Sequence, residues 1–424
     1  MRFEDVAALL ERRAAGRWEL YRKSARTRER DGGRGLSRIT HRAEEGWAAR
    51  WWDGSPAGMW FAAGSDAGGL AAAMDDAARL PAAEEPPPDW PKNPARKAAP
   101  PEPAEAADAD PPDLAPALSE ALAAAGSERI ALGSLSLRAG EARERVANAA
   151  GLDAAQTLFA FDGVASAIAR RGGSARAARA AFRWDPAAPD VDGLARRLAE
   201  AASLPLSDRA SPFRTGQWLL SPPVAAAVLA AVSPAFCGER GPSWLAREEA
   251  ASRAVRIVDD ASPESAFDGE GVPSRRMLLV EAGEVVARLF DLRTGRAAGR
   301  RSTGHGVRPS FRVPPRCGAR RIFLEASEPA AAATLAASVR RGLEARALTA
   351  PVRVDLAADR YEVEFTGVSI VAGREQGPLG GARASGRISE LLRRIQAAGS
   401  DLAFFPLPFP AGSPTLLIER TSFD

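Results

Sequence analysis

The sequence predicts an α+β protein. Predicted strands outnumber predicted helices, the two do not alternate as regular β-α-β units, and a proline-rich stretch divides the chain. We expect an N-terminal α/β domain at 1–80, a linker at 81–116, a middle domain at 117–215 with helices backing an antiparallel sheet, and a β-rich, barrel-like C-terminal domain at 216–424. A chain of 424 residues is long enough for two or three domains.

The N-terminal domain is predicted to begin with an amphipathic helix, because Phe3, Val6 and Leu10 recur at helical spacing among charged residues. A β-hairpin with its turn at Asp53-Gly54 is predicted next. Its two arms carry five aromatic residues, Trp47, Trp51, Trp52, Trp60 and Phe61. These side chains suit either a core between sheet and helix or a platform that stacks on bases or peptides, and we favour the core.

The stretch from 81 to 116 holds twelve of the 33 prolines, mixed with Ala, Glu and Asp. Proline disfavours both helix and sheet, so we expect a linker that spaces two domains or lies along the surface of one. The middle domain is then predicted to contain a helix from Ala117, a strand at 130–137 followed by a turn at Gly140-Glu141, a hairpin turning at 171–173 and a closing helix at 191–204.

The C-terminal domain is predicted to consist mainly of strands. An apolar helix at 224–232 comes first, followed by a strand at 254–258 and a hairpin that turns at Ala282-Gly283. Further strands are expected in the segments RRIFLEAS and RYEVEFTGVSIVAG. We expect a helix at 388–397 and a proline-rich tail after it.

The charge pattern argues against a nucleic-acid partner. The formal charge is +3, and Asp and Glu are interspersed with Arg almost throughout, without the one-sided basic stripe of a nucleic-acid-binding domain. The first twenty residues carry charges within their apolar pattern, unlike a secretory signal, and the longest apolar run is far too short to span a membrane. We therefore expect a cytoplasmic protein with no membrane partner.

Histidine and cysteine are scarce, and only His41, His305, Cys237 and Cys317 occur. A zinc site with four His or Cys ligands would need all four, and no close pair among them has ligand spacing. Two cysteines are also too few for a disulfide scaffold in a chain of this length, which fits a reducing compartment. The composition therefore argues against a metal site in this chain.

The segment after the strand at 254–258 places five carboxylates within twelve residues, namely Asp259, Asp260, Glu264, Asp268 and Glu270. Paired carboxylates can act as general acid and base or bind a hard cation. The spacing departs from that of an EF-hand, and Asp, Gly and Pro also dominate ordinary turns, so a structural turn is favoured. His305, between two glycines, is expected to be exposed and to make a loop contact in preference to acting as a base. Asp259, Asp260, Asp268, Glu270 and His305 form the candidate functional loop.

One long motif, IVDDASPE…FDGEGVPSRRMLLVEAGEVVARLFDLRTGRAAGRRSTGHG over 257–306, resembles the TldD/PmbA family, once called modulators of DNA gyrase. The hairpin EEGWAARWWDG…GMWFAAGSD, the later VANAAG and the closing ELLRRIQAAGSDLAFF…SPTLLIE fit the same family. The resemblance covers nearly the whole chain.

The resemblance implies one half of a two-subunit intracellular metallopeptidase. In that family a TldD-type subunit carries zinc on an H-E-x-x-x-H helix, and a TldE/PmbA-type subunit lacks the motif. Here the matching run begins at Pro223, and the ligand and base positions fall on Ala231, Val232 and Phe236. The third ligand is a cysteine near the C-terminus, and this chain has no cysteine after Cys317. The resemblance therefore implies no catalytic, cofactor-binding or metal residue in this chain and a zinc-bearing partner that acts on unfolded peptides, in proteolysis or peptide maturation.

Three alternatives stay open at this point. A stand-alone homodimeric peptide-binding protein would explain the same vacant positions. An enzyme that uses the acidic loop with His305 would hydrolyse peptides without a partner. A nucleic-acid-binding protein would bind with an affinity that falls steeply with salt.

Overall fold

A half-barrel sheet and a closed five-stranded barrel dominate the structure, which confirms the predicted α+β class and the barrel-like C-terminal part. The computed structural model describes residues 2–14, 16–33, 35–52, 58–64, 68–79, 89–92, 107–125, 129–207, 209–238, 241–246 and 249–424. The predicted turn at Asp53-Gly54 lies outside these residues, as does most of the predicted linker.

The half-barrel is a six-stranded antiparallel sheet with the order β3-β2-β1-β4-β5-β6. Its strands are β1 (Trp18–Gly33), β2 (Leu36–Trp51), β3 (Gly58–Ala63), β4 (Arg129–Asn148), β5 (Asp153–Arg171) and β6 (Ser174–Arg183). β2 and β3 pair as the predicted hairpin. β1 and β4 pair along almost their whole length, so a single sheet contains strands from both 1–80 and 117–215. The division into two domains there stays a prediction.

Among the described residues, four helices cover this sheet: α1 (Phe3–Ala14), α2 (Leu70–Ala77), α3 (Ala115–Ala124) and α4 (Val191–Ser203). The apolar stripe of α1, including Val6 and Leu10, packs on Trp47 and Trp51 in one core cluster. Trp52 and Trp60 are also buried, whereas Phe61 is half exposed. The core interpretation of the tryptophans is therefore confirmed.

The predicted turn at Gly140-Glu141 is wrong, because β4 runs through it without a break. Gly140 pairs with Thr27 of β1 and Ala160 of β5, and ladder hydrogen bonds on both sides outweigh the local turn preference of glycine. The chain reverses after Asn148 instead. There the Asn148 side-chain oxygen accepts hydrogen bonds from the amides of residues 150 and 152 at 2.9 and 3.2 Å, and Gly151 has a φ of +93°.

The closed barrel consists of β7 (Thr215–Leu220), β14 (Arg341–Leu348), β16 (Arg360–Val371), β17 (Arg374–Gly386) and β21 (Leu416–Phe423). Pairing between β14 and β16 closes it, and β15 (Arg353–Asp355) and β18 (Ile395–Ala398) add to its rim. Trp218 fills the interior, with the rings of Tyr361, Phe365 and Phe423 at 5.6 to 6.4 Å from its own. These aromatic contacts join strands that are far apart in sequence.

A second C-terminal sheet has the order β10-β9-β8-β13-β20-β19. It contains β8 (Val255–Asp259), β9 (Met277–Glu281), β10 (Glu284–Val285), β13 (Ile322–Ala326), β19 (Ala403–Pro406) and β20 (Pro410–Ser413); β11 (Gly306–Val307) and β12 (Arg316–Cys317) form a separate pair. The helices are α5 (Pro222–Val232), α6 (Leu292–Ala297), α7 (Ala332–Ser338) and α8 (Ile388–Arg393). The hairpin at Ala282-Gly283 is confirmed, and both residues have positive φ.

One expectation for the end of the chain is wrong. The helix predicted at 388–397 ends at Arg393, because the following residues pair with β21 as β18. The proline-rich tail contains β19 and β20, which pair with each other between Ala403 and Ser413. Prolines lie at the ends of these two short strands, at 406 and 410, where a missing N–H disturbs the ladder least.

Candidate functional site

The helix that the resemblance associates with zinc, α5, is apolar. Prolines occupy its first turn, where a missing N–H costs nothing, and one 3-10 turn at Ser233–Phe236 follows its last residue. It packs against β19 and β20, in the C-terminal stretch where the family's third ligand is expected. Ala231 is half-buried, and Val232 and Phe236 lie fully buried in one hydrophobic cluster.

These positions do not fit a zinc ion. Methyl, isopropyl and phenyl groups have no atom that can bind a metal or transfer a proton. In β19 the ring of Phe404 contacts the ring of Phe323 at 5.4 Å and the guanidinium of Arg321 at 3.9 Å. Within the part of the chain that the structure describes, no group of three or more His, Cys, Asp or Glu side chains could hold a metal ion.

The candidate functional loop begins with Asp259 at the end of β8, where it meets His305. Asp259 Oδ1 lies 3.1 Å from His305 Nε2, and its other oxygen accepts the backbone N–H of Arg320 at 2.9 Å. His305 Nδ1 lies 2.9 Å from Thr303 Oγ1 and 3.0 Å from the Thr303 carbonyl. His305 is only 2% exposed, so the expectation of an exposed imidazole is wrong. Both of its nitrogens have protein partners.

Asp268 holds the loop in a tight turn. Its two carboxylate oxygens accept three backbone N–H groups, those of Glu270 and Val272 at 2.9 Å and that of Gly306 at 2.7 Å. Burial raises the pKa of Asp268, although the charge of Arg320 and the three amides oppose that shift. Asp260 is not part of this arrangement: it is half-buried and accepts the Ser262 N–H at 3.0 Å, as in an Asx turn.

Glu270 joins the loop to the half-barrel. One of its oxygens accepts the N–H of Leu292 at 2.8 Å, and the other accepts an N–H of Arg50 at 3.2 Å. Burial is the main cause that raises the pKa of Glu270 to about 8; the neighbouring carboxylates Asp268 and Glu19 add to the rise, and Arg50 opposes it. Arg50 lies on β2, so this contact spans 220 residues of sequence.

Sequence reasoning missed Arg50 and two further charged partners of this loop, Glu19 and Arg308. Glu19 on β1 accepts hydrogen bonds from Arg50 at 2.6 and 3.2 Å and pairs with the guanidinium of Arg308. Arg308 Nε donates to the Gly269 carbonyl at 2.7 Å, and its guanidinium lies over the Tyr21 ring at 4.6 Å. Glu19, Arg50, Glu270 and Arg308 together form the buried charge cluster. A signal was present, since Glu19 stands inside the apolar run Trp18–Tyr21, where a lone carboxylate needs a partner.

The electrostatics of the buried charge cluster favour ion pairing. Burial raises the pKa of Glu19, but the positive charges of Arg50 and Arg308 together lower it by a larger amount. The net shift of its pKa is therefore downward. Burial lowers the pKa of Arg308, while Glu19 opposes that change. The carboxylate of Glu19, 1% exposed, therefore lies between two guanidinium groups and pairs with both.

The loop and the buried charge cluster thus form a structural junction. The structure brings together four of the five candidate residues, Asp259, Asp268, Glu270 and His305, and leaves Asp260 apart. All four have exposures of 0 to 2%, and their polar atoms are engaged by backbone amides or charged side chains. A general acid or base needs contact with a reacting group, which these buried side chains do not offer.

Comparison with known proteins gives the following matches. Residues 215–424 match the family model described as the PmbA/TldA metallopeptidase C-terminal domain. No curated protein sequence matches the chain. Among solved structures, TldE from Thermococcus kodakarensis is similar over 99% of both chains, with a TM-score of 0.85 and 19% identity.

Two bacterial structures are also similar. A proposed modulator of a DNA gyrase from Thermotoga maritima aligns over 100% of both chains, with a TM-score of 0.81 and 17% identity. A second proposed modulator of DNA gyrase, from Bacteroides thetaiotaomicron, aligns over 99% of this chain and 98% of that one, with a TM-score of 0.78 and 16% identity. At these identities the likeness concerns the fold. No helix in the described part of the chain is long and apolar enough to cross a membrane.

Proposed function

Because the chain belongs to the TldD/PmbA family, we propose that it is the non-catalytic, TldE-type subunit of a heterodimeric zinc metallopeptidase. A zinc-bearing, TldD-type relative performs the hydrolysis, and the two chains together enclose a chamber for unfolded peptides. The substrate is degraded or matured there. A cytoplasmic location stays the prediction made from the sequence.

The observation that carries this proposal is the apolar character of the ligand positions. Val232 and Phe236 are packed in the hydrophobic core. No change of side-chain rotamer at these positions could therefore bring a metal-binding atom to the site. The C-terminal stretch next to α5, where the family's cysteine is expected, contains Phe404 and Phe405 but no cysteine. The alternative site at the acidic loop is buried and structurally engaged. The apolar positions on α5 and the buried acidic loop therefore both support a non-catalytic role.

Peptide binding in such a chamber needs groups that hold a chain of any sequence. Strands β3 and β6 end the six-stranded sheet, and the edge of a sheet can pair with an extended peptide through backbone hydrogen bonds. Such pairing demands little of the peptide's side chains. It suits a subunit that receives unfolded segments of varied sequence.

Co-expression with a zinc-bearing relative from the same organism tests the proposal. We expect a 1:1 complex that contains zinc and cleaves an unfolded peptide, whereas the isolated chain contains no zinc and cleaves nothing. Treatment of the complex with a chelator should abolish peptide cleavage and leave the fold of this chain unchanged. The relative assayed alone is the control for activity that needs no partner.

Three results would contradict the proposal. One equivalent of zinc in the isolated chain would show a metal site of its own. Peptide cleavage by the isolated chain, lost in Asp268→Ala, would restore the acidic loop as an active site. A stable homodimer that binds peptide and ignores the relative would favour the stand-alone binding protein.

A further inference from the structure

The two cysteines of the chain lie next to the same residue, Leu289. Cys237 follows the 3-10 turn at the end of α5 and forms a parallel β-bridge with Leu289. The next amide, Gly238 N–H, donates to the Leu289 carbonyl at 2.8 Å, and the thiol of Cys317 donates to the same oxygen at 3.1 Å. Gly238, next to Cys237, and Cys317 thus share one acceptor although they are 79 positions apart in sequence.

The two side chains also lie close enough for their thiols to interact. A hydrogen bond with the Cys237 thiol, followed by burial, raises the pKa of the Cys317 thiol. Both cysteines are free and half-buried. A small reagent can therefore reach their thiols more easily than a cysteine of another protein can. A disulfide needs two backbones that already lie close together, and both cysteines lie next to the same residue, Leu289, through a β-bridge from Cys237 and a hydrogen bond from Cys317.

We propose that Cys237 and Cys317 form a reversible intramolecular disulfide, a modification site whose reagent is a low-molecular-weight disulfide such as oxidised glutathione. One cysteine thiolate attacks the reagent, breaks its S–S bond and releases one glutathione thiolate, leaving a mixed disulfide. The second cysteine thiolate attacks the protein sulfur of that mixed disulfide and releases the second glutathione. The protein loses two protons and two electrons, and the reagent becomes two thiols.

The place of this disulfide gives it a structural consequence. Cys237 directly follows Phe236, at the end of the segment where the family's zinc-binding residues are expected. Cys317 belongs to β12 and pairs with Gly306, whose N–H is bound by Asp268. The disulfide would therefore fasten the end of α5 to the candidate functional loop.

The test uses the full-length chain, reduced and then incubated with oxidised glutathione at about pH 8. We expect both thiols to disappear, the intact mass to fall by two hydrogen atoms with no glutathione adduct, and peptide mapping to recover a Cys237–Cys317 link. Cys237→Ser and Cys317→Ser are the matched variants. Each should instead keep one stable glutathione adduct, because it lacks the thiol that would displace it. The oxidised wild-type chain should also unfold at a higher temperature than the reduced one.

Other outcomes would overturn the inference. A wild-type chain that retains glutathione on either cysteine would show that the second thiol cannot reach the first. Disulfide-linked dimers on a non-reducing gel would place the reaction between chains. Because a variant can fail to fold, wild-type protein is also titrated with phenylarsine oxide, which bridges two close thiols. One equivalent should block both cysteines in the folded protein, and failure to do so would refute their proximity.

Discussion

Removing the Glu19 carboxylate should destabilise the protein strongly. Glu19→Ala leaves the guanidinium of Arg308, 1% exposed, without its acidic partner, while Arg50 keeps Glu270 at 3.2 Å. A carboxylate and a guanidinium about 4 Å apart attract by about 4 kcal/mol at an effective dielectric constant of about 20. The variant also recovers the desolvation free energy of the lost carboxylate. Because the buried guanidinium of Arg308 is left unpaired, we expect a net loss of about 3 kcal/mol in the free energy of unfolding, the lower end for breaking a buried ion pair.

Urea unfolding followed by tryptophan fluorescence at pH 7 measures this loss. Asp75→Ala is the control, because Asp75 pairs with Arg13 at 2.6 Å on the surface and its removal should cost less than about 1 kcal/mol. The double variant Glu19→Leu with Arg308→Leu should recover much of the stability, since it leaves no unpaired buried charge. A loss in Glu19→Ala no larger than in Asp75→Ala would refute the view that the buried charge cluster holds the junction together.

Two further perturbations address the same junction. Burial raises the pKa of Glu270 to about 8 from an ordinary value of 4.5, so its contribution to stability is fully present below pH 4.5 and is lost as the pH rises through 8. The decline in unfolding free energy between about pH 5 and 8 should be shallower in Glu270→Gln than in wild type, and equal slopes in urea titrations would contradict the shift. A Cβ at Gly46 would overlap the ring of the buried Phe311, so Gly46→Ala should cost about 1 to 3 kcal/mol in the same assay. Gly381→Ala, with open space around it, is the matched control, and an equal effect of the two substitutions would refute the packing argument.

Local sequence patterns predicted those elements that depend on neighbouring residues. The apolar spacing of α1 and α5 and the Ala282-Gly283 turn of the β9–β10 hairpin are all present as expected. The errors occur where distant strands compete with local preference. Gly140 is a turn former by itself, but strands β1 and β5 flank it and keep it extended. Residues 395–398 suit a helix by themselves and pair instead with β21.

The candidate functional loop likewise combines features that the local sequence predicts with features that depend on distant segments. Its carboxylates and His305 could be selected from the sequence because their side-chain chemistry is visible there. Their burial could not, because the groups that bury and pair them come from elsewhere. Glu19 and Arg50 lie on β1 and β2, more than 200 residues before Glu270. An imidazole between two glycines can be exposed or buried. His305 is buried because its imidazole contacts Asp259, which lies 46 residues earlier in the sequence.

The sequence by itself determined which atoms are present: the apolar Ala231, Val232 and Phe236 where the family resemblance implies zinc ligands, and only two cysteines and two histidines in 424 residues. The atoms of a side chain are fixed by the sequence, so no fold of this chain could place a metal-binding atom on these three side chains. Only the tertiary structure decided which of the remaining groups meet. It placed Glu19 between two arginines, buried His305 against Asp259, and brought Cys237 and Cys317 to one carbonyl. These pairings depend on desolvation and contact between distant segments, which a linear pattern does not encode.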